Sequence, residues 1–366
     1  MVLGKSYALK KVPPRTPPLT MGVFLRKVFL QESRIMTHWN KVLLVRTDRL
    51  GDVILSLPLA EAVKMRFPNS YVGFLCQKYT QPVVEMSDYV DDVITVDCDN
   101  LLQRISEFDV AVLIHPTPRD AILLWRAGIE IRIGTSYRLY SFLLTHRVAE
   151  HRKDCRYHEL TYNLHLLRPL GIDVEWLPPK LRVPDDAKGN AQKLIRSLGL
   201  DGEKFLAIHP GSSGSSLAWS RDRFEKFARL LEVKNIPFIV TAGPGELDLA
   251  RSVAGGGAVV SDVDLKTLAG IYSFSSAVIA PNTGTLHLAD AVGTKAFSSF
   301  PMLRTMSPRR WAPANFRKGA ITPENRICKK CSRKCHLFPC PDLITPELML
   351  ERILENTELS PQKPQQ

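Results

Sequence analysis

The feature that most constrains this chain is a repeated alternation of short, apolar, largely β-branched runs with helical or charged stretches. Val42–Val45, Tyr71–Cys76, Val93–Val96, Val110–His115 and Ile129–Ile133 read as strands. Helical or charged stretches at Leu59–Phe67, Asp99–Glu107 and Arg119–Arg126 lie between them. A helix over His158–Leu170 and a connection punctuated by Pro178, Pro179 and Pro184 follow. The pattern then starts again, with strands at Phe205–Ile208 and Pro237–Thr241 and helices at Arg221–Lys234 and Glu246–Val253. Val259–Val260, Leu265–Tyr272, Ala277–Ala280, Thr285–Val292 and Lys295–Phe300 continue it. Continuously apolar strands alternating with helices imply parallel βαβ units, so the chain is read as α/β, with two halves and a cleft between them. The boundaries fall at 41–180 and 181–344. A basic, flexible extension precedes them at 1–40, and a terminal amphipathic helix (Thr345–Asn356) and tail follow at 345–366.

At 366 residues, two domains can each bury a core. Lys and Arg exceed Asp and Glu by 49 to 37, a formal charge of +12. Acidic partners are therefore favoured: phosphorylated ligands, nucleic acid or anionic membrane surfaces. No uninterrupted apolar run reaches the roughly 18 residues of a transmembrane helix. Met21–Leu30 is too short and too charged for a signal peptide core. The segment around Phe24–Phe29 reads either as a disordered tail or as a contact for an anionic membrane, and Met36 offers an alternative start. The basic stretch from Arg132 to Arg156 reads equally as a solvated face or as an anionic-substrate surface.

Four stretches carry candidate chemistry. The first strand runs directly into Arg46, Asp48, Arg49, Gly51 and Asp52, at the strand's carboxyl end, where open α/β sheets place their ligands. Gly51 suggests a tight turn or a close approach to a ligand. Alone, Asp52 fits a helix cap paired with an arginine better than it fits a catalytic group. The loop His209–Ser216 holds Gly211, Gly214 and four serines, Ser212 and Ser213 among them, and can bare N–H groups toward an anion. It is neither a P-loop nor a G-x-G-x-x-G fingerprint. Glu246, in Ala242–Glu246, sits at a helix start, suited to ribose hydroxyls or simply to the helix dipole. The best anion site is Pro281–His287, a small-residue turn into a helix closed by Gly293, with His287 one turn in as a further donor or positive charge.

Taken together, R-T-D-R-L-G-D-V-I-L-S-L-P, H-P-G-S-S-G with Trp219 downstream, G-P-G-E and N-T-G-T-L-H-L-A-D-A-V-G resemble the lipopolysaccharide heptosyltransferases, glycosyltransferase family 9, over roughly Val42–Leu354. The resemblance implies a GT-B fold of two Rossmann-like domains, with donor on the C-terminal and acceptor on the N-terminal one. It implies inverting transfer of heptose from ADP-heptose to the inner core of lipopolysaccharide, a lipid A–core saccharide. By the same resemblance Asp52 is the general base, Ser212 and Ser213 lie near the diphosphate, and Glu246 binds ribose. Asn282, Thr283, Gly284 and His287 form the diphosphate loop. No divalent metal or other cofactor is expected in the reaction. The expected location is the cytoplasm, in contact with the inner membrane surface.

The chain departs from the family pattern at Leu217, where some members have a phosphate-binding lysine, and at Asn282, where others have aspartate. Asp290 stands where alanine is commoner and is harmless if it faces solvent. Arg304, Arg309 and Arg310 are candidates for the missing positive charge. Cys328, Cys331, Cys335 and Cys340, spaced C-x2-C-x3-C-x4-C with His336 nearby, fit either a structural zinc or iron–sulfur site or buried and redox-pairing thiols. A non-catalytic nucleotide- or glycan-binding scaffold is the alternative function. A nicotinamide oxidoreductase lacks the glycine fingerprint, and nucleic-acid binding has no recognisable module behind it.

Overall fold

The computed structural model describes residues 39–212, 214, 216–323, 328, 335 and 337–360. The extension before residue 39, Ser213, Cys331, His336 and the tail from residue 361 lie outside them. From Asn40 onward the chain is one compact unit built on two six-stranded sheets. The first contains β1 (Lys41–Val45), β2 (Tyr71–Cys76), β3 (Asp92–Thr95), β4 (Val110–Leu113), β5 (Ile131–Thr135) and β6 (His146–Val148). The second contains β7 (Leu206–Ile208), β8 (Phe238–Thr241), β9 (Ala258–Val260), β10 (Ala277–Ile279), β11 (Ala296–Ser299) and β12 (Ala320–Ile321). Every strand pairing is parallel.

The strand orders are β3-β2-β1-β4-β5-β6 and β12-β11-β10-β7-β8-β9. Each is the doubly wound order in which the chain reverses direction of travel beside its first strand. Neighbouring loops diverge there and leave a crevice at the carboxyl ends of the strands. In the first sheet the crevice lies between the loops after β1 and β4, and in the second between those after β7 and β10. The strands are legible because both faces are covered: Val42, Leu43, Leu44 and Val45 are all fully buried. Leu43, Val45, Leu75 and Leu113 anchor one core. Leu206, Ile208, Ile279 and Phe297 anchor the other, which also takes Met349, Leu350 and Ile353 of the terminal helix Pro346–Asn356. Among the described residues no helix is long and apolar enough to cross a membrane.

Two elements are less visible in the sequence. β6 is short and polar at the sheet edge, so it has no apolar run. The helix Asp185–Ser197 buries Ala187, Ala191 and Ile195, a face of mostly small side chains. That face packs closely on Gly270, where a Cβ would stand 2.9 Å from the Cβ of Ala191 and 3.0 Å from the oxygen of Ala187. Alanines contribute little to a hydrophobic periodicity, yet they permit this close approach.

Gly51 departs from the turn expected there. It lies inside the helix Leu50–Ile54, buried, and the close approach it allows is to protein. That helix crosses the helix Gly284–Ala291 of the other half. A Cβ on Gly51 would stand 2.8 Å from Cδ2 of His287 and 3.3 Å from Cα of Gly284, while one on Gly284 would stand 2.7 Å from Cβ of Leu50. Paired glycines therefore set the distance between the two halves at the cleft. Gly51→Ala is expected to cost about 1–3 kcal/mol through overpacking, read as a melting temperature lowered by roughly 2–4 °C per kcal/mol. An unchanged melting temperature would show that the crossing relaxes freely.

Candidate active site

The loop after β1 begins with Arg46, only 3% exposed. Its Nε donates to Oδ1 of Asp48 at 2.7 Å and its Nη2 to Oδ1 of Asp52 at 2.5 Å. Arg49 is the N-cap residue of the Leu50–Ile54 helix and holds extended backbone, with no side-chain cap. Asp52 lies in the first turn and does not cap it, so of the two structural roles open to it only the arginine pair is present. On the same loop, Oγ1 of Thr47 donates to Oδ2 of Asp120, in the helix Pro118–Arg126 that follows β4, at 2.6 Å, joining the two sides of the crevice.

Beneath Asp52 lies Glu159, 1% exposed, at the start of the helix Glu159–Leu164. Arg310 of the second half donates to its Oε2 through Nη2 at 2.9 Å and Nε at 3.1 Å. Arg152 donates to its Oε1, and Nη1 of Arg46 stands 3.6 Å from the same oxygen. Burial alone would raise the Glu159 pKa, but Arg152, Arg46 and Arg310 overcome it and hold the carboxyl at about 2. Asp52 goes the other way. Burial pushes it up to about 6 against the pull of Arg46, with Asp48 and Glu159 adding to the rise. His158 beside Glu159 donates from Nε2 to the oxygen of Ala312 at 2.9 Å, a second tie between the halves.

At the second sheet, the loops after β7, β8, β9 and β10 line a cavity of about 470 Å³ that includes Gly211, Ser212, Glu246, Asp262, Thr283 and Thr285. Glu246 accepts from the N–H of Gly243 at 3.1 Å and lies 3.4 Å from Nε2 of His209. Its carboxylate occupies the place where a side chain at Gly211 would be, so a larger residue there would displace Glu246 from this position. The helix Gly284–Ala291 starts at the cavity edge with no side-chain cap from Thr283, so that side chain does not occupy its first N–H groups. A second cavity of about 240 Å³ shares Arg49, Thr283 and Gly284 with the first and continues to Asp52, Asn282, His287, Thr305 and Trp311.

The structure thus gathers Ser212, Glu246, Thr283 and Gly284 on one cavity and Asp52, Asn282, Thr283, Gly284 and His287 on the other. Ser213 lies outside the described residues. Three expectations change. His287 is 2% exposed, and burial, with His158 adding, lowers its pKa to about 3, so it is a neutral group and not a positive charge. Asp290 does not face solvent: it is 1% exposed and accepts from the N–H groups of Asn315 and Phe316, each at 2.9 Å. Arg304, Arg309 and Arg310 line neither cavity, and Arg310 is committed to Glu159. The basic stretch is only partly a surface, since Arg152 turns inward to Glu159.

Sequence reasoning missed the Glu159 cluster and the cavity residues Thr305 and Trp311. Arg46, Arg152, Glu159 and Arg310 share no local spacing, and only the tertiary fold brings them together. Among the described residues no three His, Cys, Asp or Glu side chains are placed to hold a metal ion. Cys328 and Cys335 are free thiols there, and Sγ of Cys340 accepts from the N–H of Met302 at 3.5 Å. Cys331 and His336 lie outside the described residues.

Residues 101–340 match the family model described as Glycosyltransferase family 9 (heptosyltransferase). A Haemophilus influenzae protein carrying a provisional glycosyltransferase name is 28% identical over 302 residues, 75% of this chain and 86% of that protein. The crystal structure of a family 9 glycosyl transferase from Veillonella parvula superposes with a TM-score of 0.73 at 20% identity, covering 87% of this chain and 98% of that one. The Escherichia coli ADP-heptose lipopolysaccharide heptosyltransferase II superposes with a TM-score of 0.68 at 16% identity, covering 86% and 98%. These likenesses agree with the GT-B architecture expected from the motifs.

The opposed carboxyl shifts give stability a defined pH course. The Glu159 value of about 2 lies below that of an unfolded carboxyl, so its stabilisation is full above about pH 5 and is lost as the pH falls toward 2. Asp52 and Asp290, the latter also pushed to about 6 by burial against its N–H donors, have the opposite sign. Their contribution is present below about pH 4 and disappears as the pH rises through 6. Melting temperature is expected to rise modestly from pH 7 to 5 and to fall below about pH 4. Glu159→Gln, which leaves three arginines facing a neutral amide, should lose about 3–5 kcal/mol at pH 7 and flatten the acid-side fall. Thermal scans across pH on both proteins check this, and an unaltered acid limb in the variant would remove Glu159 from the account.

Proposed function

Because the chain belongs to glycosyltransferase family 9, the heptosyltransferases, we propose that it transfers heptose from ADP-heptose, with inversion, to a lipid-linked core saccharide of lipopolysaccharide. The observation that carries this reading is the pair of joined cavities. The larger one offers apolar Val263, Leu265 and Leu268 for a base, Glu246 for ribose hydroxyls, and Ser212 with the N–H groups at Thr283–Thr285 for a diphosphate. The smaller one leads from the shared Thr283 and Gly284 to Asp52. A sugar attached to the diphosphate would lie between that loop and the carboxylate. The name of the Escherichia coli neighbour pairs ADP-heptose with lipopolysaccharide, which supports the same donor and acceptor here.

In this reading the acceptor enters beside Asp52. Its hydroxyl oxygen attacks the anomeric carbon on the face opposite the diphosphate, and the proton passes to Asp52. The new C–O bond forms as the bond to the phosphate oxygen breaks, and ADP leaves. One displacement inverts the anomeric centre. Burial equips Asp52 for this proton transfer, because a carboxyl near 6 is a stronger base than an ordinary aspartate and is still mostly ionised at neutral pH. Arg46 keeps it oriented and tempers the rise. Leaving-group charge falls to the loop N–H groups, the helix start and cavity side chains, so the reaction is proposed to be independent of divalent metal. Neutral His287, buried against the same cavity, would act as a hydrogen-bonding group.

Incubation with ADP-heptose and a panel of truncated core acceptors, with products read by mass, tests the function. No product from any pair, with nucleotide still bound, would favour the non-catalytic scaffold. Asp52→Asn is expected to abolish transfer while ADP affinity stays within a few fold, and retained turnover would remove Asp52 from its role. In the native protein kcat/KM should rise with pH through about 6 as one carboxyl ionises. Excess EDTA should leave the rate unchanged. A structural metal at the C-terminal cysteines is a separate proposal, which elemental analysis of tag-free protein would end at less than about a tenth of an equivalent.

A further inference from the structure

We propose that Arg49, contributed by the acceptor-side half, is the cation that binds the diphosphate of the donor across the cleft. The inference rests on the nucleotide-sugar reading above and names a residue that the motif resemblance does not assign. Among the described residues Arg49 is the one Arg or Lys lining either cavity, and it lines both, meeting Thr283 and Gly284 at their junction. Its side chain is exposed and makes no hydrogen bond or ion pair among the described residues, whereas Arg46 beside it is fully engaged.

The surroundings require such a charge. Glu246 and Asp262 both line the larger cavity, and Asp52 lines the smaller, so a diphosphate entering here meets carboxylates on either side. Leu217, where the motif resemblance leads to the expectation of a phosphate-binding lysine, supplies no charge. Arg310 belongs to Glu159, and His287 is neutral. Two polar atoms, Nδ1 of His287 and Oγ of Ser216, are buried against the smaller cavity without a hydrogen-bond partner among the described residues. Together with the uncapped start of the Gly284–Ala291 helix, they mark the junction as a place built for a polar ligand. A guanidinium there can bond two phosphate oxygens at once, which an ammonium cannot.

Because Arg49 and the phosphate loop come from opposite halves, diphosphate would join them at a further place, in addition to the Gly51–Gly284 crossing, the Glu159–Arg310 pair and the His158–Ala312 bond. Calorimetric titration of the full chain with ADP, AMP and inorganic pyrophosphate tests the assignment. Arg49→Ala should weaken ADP and pyrophosphate about tenfold or more and AMP less than about threefold, with Arg49→Lys intermediate. The melting temperature should not move, since the side chain makes no hydrogen bond or ion pair among the described residues. ADP bound equally by wild type and Arg49→Ala would overturn the inference and leave the donor reading standing. Pyrophosphate bound through Arg49 with no affinity for either adenine nucleotide would keep Arg49 and overturn the ADP donor. An equal loss for AMP and ADP would place Arg49 elsewhere on the nucleotide and overturn the inference.

Discussion

The ionised Glu159, buried among three arginines, is the interaction on which the rest of the site depends. Two of the arginines, Arg46 and Arg152, come from the first half and Arg310 from the second. A carboxylate this deep is tolerated only because its charge is overcompensated, and the compensation comes from both sides of the cleft. The surplus positive charge is then available to its neighbours. Arg46 reaches past Glu159 to Asp48 and Asp52, so the same guanidinium that stabilises the buried glutamate orients the proposed base. Assembly of the two halves and preparation of the site are in this sense one electrostatic event.

Above that cluster, steric constraint takes over from charge. The helices carrying Asp52 and His287 cross where each has a glycine, and that close crossing leaves His287 buried and neutral. With side chains at the crossing the halves would stand further apart. A tight crossing and a polar cluster on either side of a cleft favour a fixed hinge line, with freedom left for the outer loops. Asp290 adds to the rigidity on the second-half side, since it ties the helix Gly284–Ala291 to the chain at Asn315 and Phe316.

The legible part of this architecture was local. Buried parallel strands announce themselves as apolar runs, and the loops after β1, β7 and β10 were recognisable because strand, small-residue turn and helix follow one another directly. Asp52 could be selected from its place at a strand end, and the motif resemblance raised it above a capping role. What escaped was set by distance in sequence or by burial. Glu159 gave no signal because its partners lie at positions 46, 152 and 310. His287 looked like a charge donor until its burial was known, and Gly51 looked like a turn until the opposing helix was in place. The Asp185–Ser197 helix hid behind an alanine face that packs well but is only weakly apolar.

At Asp52 local sequence and tertiary burial pull in opposite directions. Its sequence context offers a salt-bridged aspartate, and an ordinary ion pair with arginine would make it a poor base by lowering its proton affinity. In the fold, desolvation and the charges of Asp48 and Glu159 push against Arg46, and the balance settles near 6. The arginine therefore serves orientation more than acidification. A carboxylate that is held in place but not quieted is what the proposed single-displacement transfer needs, because there the acceptor hydroxyl loses its proton in the same step that expels ADP. The glutamate beneath the site thus acts twice, once by anchoring the arginine and once by keeping the aspartate basic.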